Sequence, residues 1–193
     1  MLHFIAQLSG GSKLPVSQLL LVYGTTEGQT EKIAKFVAEH LAHLGHQAEV
    51  VNAIGETPVD LRKFDAVIVA ASVHAGRYQS AVIHFVSQHL AALTARPNAF
   101  LSVSLAAASQ DEDDVEGLKQ CLTHFTQQTE WVPQQTHHVA GAFRYSAYDF
   151  LKRWAMKYIA YRKGCPTDTT RDYELTDWDD LARFIDAFLT RRP

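Results

Sequence analysis

Hydroxyls, an amide and glycines crowd one short stretch of the chain, Leu19–Thr30, which reads LLLVYGTTEGQT. Thr25, Thr26 and Thr30 bring hydroxyls, Gln29 brings an amide, and Gly28 lets backbone come close to a ligand. A helix starting near Gly28 adds its first N–H groups and the positive end of its dipole. Together these groups can hydrogen-bond an anion. The loop contains no Lys or Arg, whereas the Gly-Lys-Ser/Thr of a nucleotide-triphosphate P-loop sets a cation near the β/γ-phosphates. A single terminal phosphate therefore fits better, and the plain alternative is a polar turn after a strand. Glu27 is an awkward neighbour for a dianion and is expected to point to solvent, beside the positive helix end.

A second stretch, Ser72–Tyr78 (SVHAGRY), combines small residues with an imidazole. Gly76 permits a positive φ, Ala75 leaves room for a flat ring beside Ser72 and Val73, and His74 can either shuttle a proton or simply hydrogen-bond the loop. Arg77 and Tyr78 suit an anionic or aromatic substrate, or form an ordinary rim. A third stretch, Ser102-Val103-Ser104-Leu105-Ala106, ends another apolar run, and the acidic Gln110–Glu116 follows it as a helix start favoured by the dipole. The ten histidines are scattered, and the pair His137-His138 points to opposite faces if it lies in a strand. The two cysteines, Cys121 and Cys165, form no CxxC. No metal site and no structural disulfide are expected, and a reducing, cytoplasmic compartment is the natural reading.

The elements that must position these loops follow from periodicity. Leu19–Val22 reads as a strand buried on both faces, and Ile33, Ala34, Val37, Leu41 and Leu44 recur at helical spacing up to Gly45. Gln47–Val51 and Asp65–Ala71 are a second and third strand, joined through Pro58–Phe64 with one helical turn. Ala81, Val82, Phe85, Val86 and Leu90 form one helical stripe, Ala99–Leu105 a fourth strand, Asp113–Gln127 a helix and His137–Phe143 a fifth strand. Thr176-Asp177-Trp178-Asp179 reads as a capping box before a last helix through Leu189. The alternation predicts an α/β fold whose five-stranded parallel sheet has the order 2-1-3-4-5, with the ligand at the carboxyl ends of strands one and three.

The chain's 193 residues and 47% apolar content suit one domain, 18–190, behind an N-terminal appendage over 1–17 that lacks a signal-peptide pattern. A net charge of −3 gives no overall pull toward nucleic acid. No stretch has the roughly 18 to 20 apolar residues of a membrane span. A long insertion over 143–172 separates the fifth strand from the last helix, and its middle carries Phe150, Trp154 and Tyr158 with Lys152, Arg153 and Lys157. Such a basic aromatic segment suits a lipid interface or a partner; the alternative is a helix with its aromatics buried on the sheet.

The Thr25–Thr30 loop resembles the phosphate loop of flavodoxins. GTTEGQT, SVHAGRY, AFLSVSL, AGAFRYSAYDFLKRWAMKYIA and TDTTRDYELTDWDDLARF, in this order and spacing, narrow the resemblance to the flavodoxin-type, quinone-dependent protoporphyrinogen oxidase family over residues 18–190. The resemblance implies a three-layer flavodoxin-like fold and non-covalent FMN. It sets Thr25, Thr26, Glu27, Gly28, Gln29 and Thr30 at the phosphate, with Ser72, Val73, His74, Ala75, Gly76, Arg77, Ser102, Ser104, Leu105 and Ala106 around the flavin ring. It also implies oxidation of protoporphyrinogen IX with menaquinone or ubiquinone as acceptor, at the inner membrane surface. Tyr78, Arg144, Tyr145, Phe150, Lys152, Arg153, Trp154 and Lys157 would meet substrate or membrane. The chain departs from the best-known members at His74-Ala75, where they carry a basic residue and an aromatic. His74 is the candidate acid or base, and no side chain is named as essential. A plain FMN electron carrier and a scaffold domain without flavin remain as alternatives, and the oligomeric state, a homo-oligomer included, stays open.

Overall fold

Strand β1, Gln18–Gly24, sends Leu19, Leu21 and Tyr23 to one face and Leu20 and Val22 to the other, and both sets are buried. A strand apolar on both faces needs a layer of helices on each side. In the computed structural model, which describes residues 17–55, 58–109, 111–143 and 168–190, the chain supplies both layers. Helix α1 (Gln29–His43) and the last helix α5 (Trp178–Thr190) cover the Leu19 face through Ile33, Val37, Leu41, Ile185 and Phe188. Helices α2 (Ser80–Gln88), α3 (Leu90–Thr94) and α4 (Glu112–Thr129) cover the Leu20 face through Val82, Phe85, Val86, Leu93 and Phe125.

Strands β2 (Gln47–Asn52), β3 (Ala66–Ser72), β4 (Asn98–Ser104) and β5 (Gln135–Ala140) complete a five-stranded sheet of order β2-β1-β3-β4-β5, every pair parallel. The register aligns Gly24 with Ala71 and Ser72 with Val103, so the loops leaving β1, β3 and β4 emerge together. This is the predicted α/β order, with its winding reversal between β1 and β3.

Four local expectations are corrected. Leu44 belongs to the apolar period by spacing but caps α1 and is 46% exposed, because the chain there already turns into Gly45 at φ 86. The stripe through Leu90 is two helices, since His89 at φ −109 leaves helical geometry between them. The fifth strand stops at Ala140. Beyond Gly141 the chain makes β6 (Ala142–Phe143), which pairs antiparallel with β7 (Tyr173–Glu174) in a separate two-stranded sheet. At the last helix the capping is done by Asp177, whose Oδ1 accepts from the Asp180 N–H at 2.9 Å, while the Thr176 hydroxyl donates to the Ala140 carbonyl at 2.7 Å.

The ladder of β6 and β7 joins the two ends of the 143–172 insertion, whose residues 144–167 lie outside the described residues, as do 1–16 of the N-terminal appendage. Among the described residues no helix is long and apolar enough to cross a membrane.

Candidate functional site

Helix α1 begins on the carboxyl side of β1, and Gly28 at its N-cap has φ 90, a conformation that strains any residue with a Cβ. The Thr25 hydroxyl oxygen accepts from the Gly28 N–H at 2.9 Å, folding the loop back on itself. The first N–H groups of α1 then have no acceptor within the helix and face outward. Thr30, fully buried, lines the same space, and its hydroxyl has no hydrogen-bond partner among the described residues. An unpaired buried hydroxyl costs on the order of 1 to 3 kcal/mol. A phosphate oxygen at that helix end would satisfy it, so the residues present fit a phosphate-bearing group.

Thr25, Thr26, Glu27, Gln29 and Thr30 make one wall of a cleft whose other walls are Ser72, Val73 and His74 after β3, and Val103, Ser104 and Leu105 at the end of β4. Gly141 and Ala142 close it. Apart from His74, no basic side chain lines this cleft among the described residues. Glu27 does not stand clear in solvent as expected; it is half-buried along the wall. The Gln29 amide is turned away from the cleft centre, donating to Glu174 Oε1 at 2.8 Å and Thr176 Oγ1 at 2.9 Å. Lys32 also meets Glu174, at 2.7 Å. Burial would raise the Glu174 carboxyl, yet the hydrogen bonds from Lys32 and Gln29 outweigh it and hold the group below its ordinary range.

The second loop is a two-residue hairpin. The His74 N–H donates to the Arg77 carbonyl at 2.8 Å and the Arg77 N–H to the His74 carbonyl at 3.1 Å, with Ala75 at φ 48 and Gly76 at φ 74. Two positive φ values in a row make the turn that favours Asn-Gly, and Ala75 occupies it with a Cβ. His74, Ala75, Gly76 and Arg77 are all exposed, and of the four only His74 lines the cleft. The Cys121 thiol of α4 donates to the Gly76 carbonyl at 3.3 Å.

Two residues expected at the ligand lie beneath it. Tyr78 is 6% exposed and packs edge-on against Phe100 and Phe125, its hydroxyl 2.8 Å from that of the fully buried Ser102. Burial pushes the Tyr78 phenol up to about 12, against the opposing hydrogen bond to Ser102, so it stays neutral. Neither lines the cleft; Tyr78 lines a neighbouring depression with Gly76 and Arg77. Ser104 holds the third loop by accepting from the Ala107 N–H at 3.1 Å, and Ala106 lies in the turn beyond, facing a neighbouring depression with Asp113 and Asp114. Arg144, Tyr145, Phe150, Lys152, Arg153, Trp154 and Lys157 lie outside the described residues.

Sequence reasoning passed over Gln79. Its Nε2 donates to Thr26 Oγ1 at 3.1 Å and to Ser72 Oγ, tying the first loop to the second. It also missed Glu174, and it took Thr176 for a cap; neither carries a local signal, because their partners lie far away in the chain. Among the described residues no group of three or more His, Cys, Asp or Glu is placed to hold a metal ion.

Residues 20–170 match the family model of the flavodoxin domain. Protoporphyrinogen IX dehydrogenase (quinone) of Escherichia coli K12 is 34% identical over 176 residues, which is 90% of this chain and 97% of that protein. The Leishmania major protein of the same name is 32% identical over 170 residues, 88% of this chain and 73% of its own. Among solved structures, oxidised flavodoxin 1 of Bacillus cereus matches 91% of this chain and 99% of its own with a TM-score of 0.53 at 13% identity. An apo NADH:FMN oxidoreductase matches 92% and 91% with a TM-score of 0.53 at 14% identity, and both of these likenesses bear on the fold alone.

Proposed function

The chain belongs to the protoporphyrinogen IX dehydrogenase (quinone) family within the flavodoxin-domain proteins, and from that premise we propose that it is an FMN-dependent oxidoreductase converting protoporphyrinogen IX to protoporphyrin IX with a quinone as acceptor. The observation that carries the cofactor assignment is the buried, unpaired Thr30 hydroxyl at the N-terminus of α1, in a cleft at the switch point of a parallel sheet. FMN, when bound, supplies the redox chemistry, taking hydrogen from the porphyrinogen and passing electrons to the quinone.

The chain's own residues bind and orient. Thr25, Thr26, Thr30 and the N–H groups of α1 take the phosphate, with Gly28 giving close backbone approach. Ser72, Val73 and His74 on one side of the cleft and Ser104 and Leu105 on the other would flank the ring. His74 is exposed and lines the cleft, which supports it as the candidate acid or base. Arg144, Lys152 or Arg153 of the insertion would meet the acidic side chains of the tetrapyrrole, and its aromatics the ring system or the lipid that carries menaquinone or ubiquinone. This sets the protein on the cytoplasmic face of the membrane as a peripheral component. Replacing Lys152, Arg153 and Lys157 by Glu is expected to abolish sedimentation with anionic vesicles; sedimentation equal to wild type removes the electrostatic docking.

The deciding experiment mixes protoporphyrinogen IX anaerobically with FMN-loaded protein and a soluble menaquinone analogue, following porphyrin fluorescence. Porphyrin formation faster than with free FMN is the expected result. The exposed acidic first turn of α4, whose Asp113 lines a depression shared with Val73 and Ser104 of the cleft, favours a second reading, an electron carrier docking on a basic partner. Reduction by a flavodoxin reductase with no acceleration of porphyrin formation puts the carrier in place of the enzyme.

A further inference from the structure

Gln79 stands at the N-cap of α2 yet makes no capping hydrogen bond with its side chain. The amide reaches the cleft instead, where Nε2 donates to the hydroxyl oxygens of both Thr26 and Ser72. Among the described residues its Oε1 is buried without a hydrogen-bond partner. With Nε2 turned toward the two hydroxyls, the amide gives both of its protons to them. A hydroxyl that accepts through its oxygen keeps its own proton to give elsewhere. Thr26 and Ser72 both line the cleft, so a donating amide behind them leaves both protons free for a ligand that accepts. Gly24 makes the approach feasible: a Cβ there would lie 2.5 Å from Val82 Cγ2 and 3.1 Å from Gln79 Oε1.

We infer that Gln79 is a positioning residue that sets the hydrogen-bond polarity of the cleft, turning the Thr26 and Ser72 hydroxyls into donors toward a phosphate and toward the acceptor atoms of the group attached to it. The inference rests on the FMN reading and deepens it. The anion is selected by the direction of two protons, in a loop that has no cation of its own.

Gln79→Glu keeps shape and size but replaces the double donor by a carboxylate that accepts from both hydroxyls and adds a negative charge. At pH 8 its FMN affinity, followed by quenching of flavin fluorescence, is expected to fall by about 100-fold relative to wild type. Riboflavin, which lacks the phosphate, is expected to lose no more than about fivefold. Lowering the pH protonates the introduced carboxylate and restores one donor, so the ratio of variant to wild-type FMN affinity recovers at least about tenfold; Glu27 and His74, which line the same cleft, are present in both proteins and cancel in the ratio. Gln79→Met, which can neither donate nor accept, is expected to lose about tenfold in FMN affinity without that pH dependence, and it serves in place of the Gln79→Glu variant if the latter does not fold. Equal losses for FMN and riboflavin in the folded variants, or an unchanged FMN affinity, overturn the role given to Gln79 and leave the FMN site standing. A wild-type protein that binds neither flavin overturns both.

Discussion

The loops on either side of the cleft are built on opposite plans. Thr25–Thr30 is tied inward at several points: Thr25 to Gly28, Thr26 to Gln79, Gln29 to Glu174 and Thr176. Its positive φ falls on a glycine, which bears it without strain. The hairpin His74–Arg77 is exposed throughout, held by its own two backbone hydrogen bonds and the Cys121 thiol, and its positive φ at Ala75 falls on a residue with a Cβ. One loop is fixed before a ligand arrives. The other carries roughly 1 to 2 kcal/mol of backbone strain in the open. On the FMN reading proposed above, affinity would belong to the first and adjustability to the second, with binding set by a phosphate and chemistry by a ring.

The largest test of that division is Thr30→Ala. Losing one hydrogen bond to a charged phosphate is expected to weaken FMN by about 10- to 100-fold while leaving riboflavin unchanged, as read by fluorescence titration. Because the hydroxyl has no partner among the described residues, the same variant is expected to melt no lower than wild type without flavin. A drop in melting temperature before flavin is added would mean that Thr30 serves the fold, and the contrast between the loops would blur.

A smaller effect is expected from Ala75→Asn. Asn tolerates the left-handed region and is favoured at the first centre of this turn, so the flavin-free protein should gain about 0.5 to 1 kcal/mol in urea unfolding. Flavin affinity should change little, since Ala75 does not line the cleft. A destabilised variant would show that the hairpin is held by contacts stronger than its strain.

The smallest effect lies at Glu174, whose folded carboxyl is held below its ordinary value. A lowered carboxyl contributes stability that is fully present above about pH 4.5 and is lost as the pH falls through the folded value. Glu174→Gln should remove that part of the acid dependence. The pair with Lys32 is partly exposed, at 58% and 34%, so screening limits the change to under about 1 kcal/mol. Unfolding curves at pH 3.5 and pH 7 with and without the substitution measure it.

What could be read in the sequence follows the same division. The apolar runs of β1, β3 and β4 announce strands buried on both faces, and the Thr-rich loop announces its chemistry because the interacting groups are neighbours in the chain. The burial of Tyr78 and Ser102 was not legible, because residue type does not report orientation and the two hydroxyls meet each other within the core. Gln79 escaped notice because its partners are Thr26, on another loop, and Ser72 across the hairpin. The break after Ala140 could be suspected from Gly141 alone; the pairing of β6 with β7 joins residues on either side of the insertion, and no local pattern encodes that.

The two-stranded ladder of β6 and β7 brings the two flanks of the insertion to one point beside the parallel sheet, so the frame of β1 to β5 is complete before and after it. For a loop anchored in this way, doubling its length adds only about 0.6 kcal/mol of closure entropy. Strands β1 to β5 can therefore keep their register whatever length of chain runs between the two rungs of that ladder.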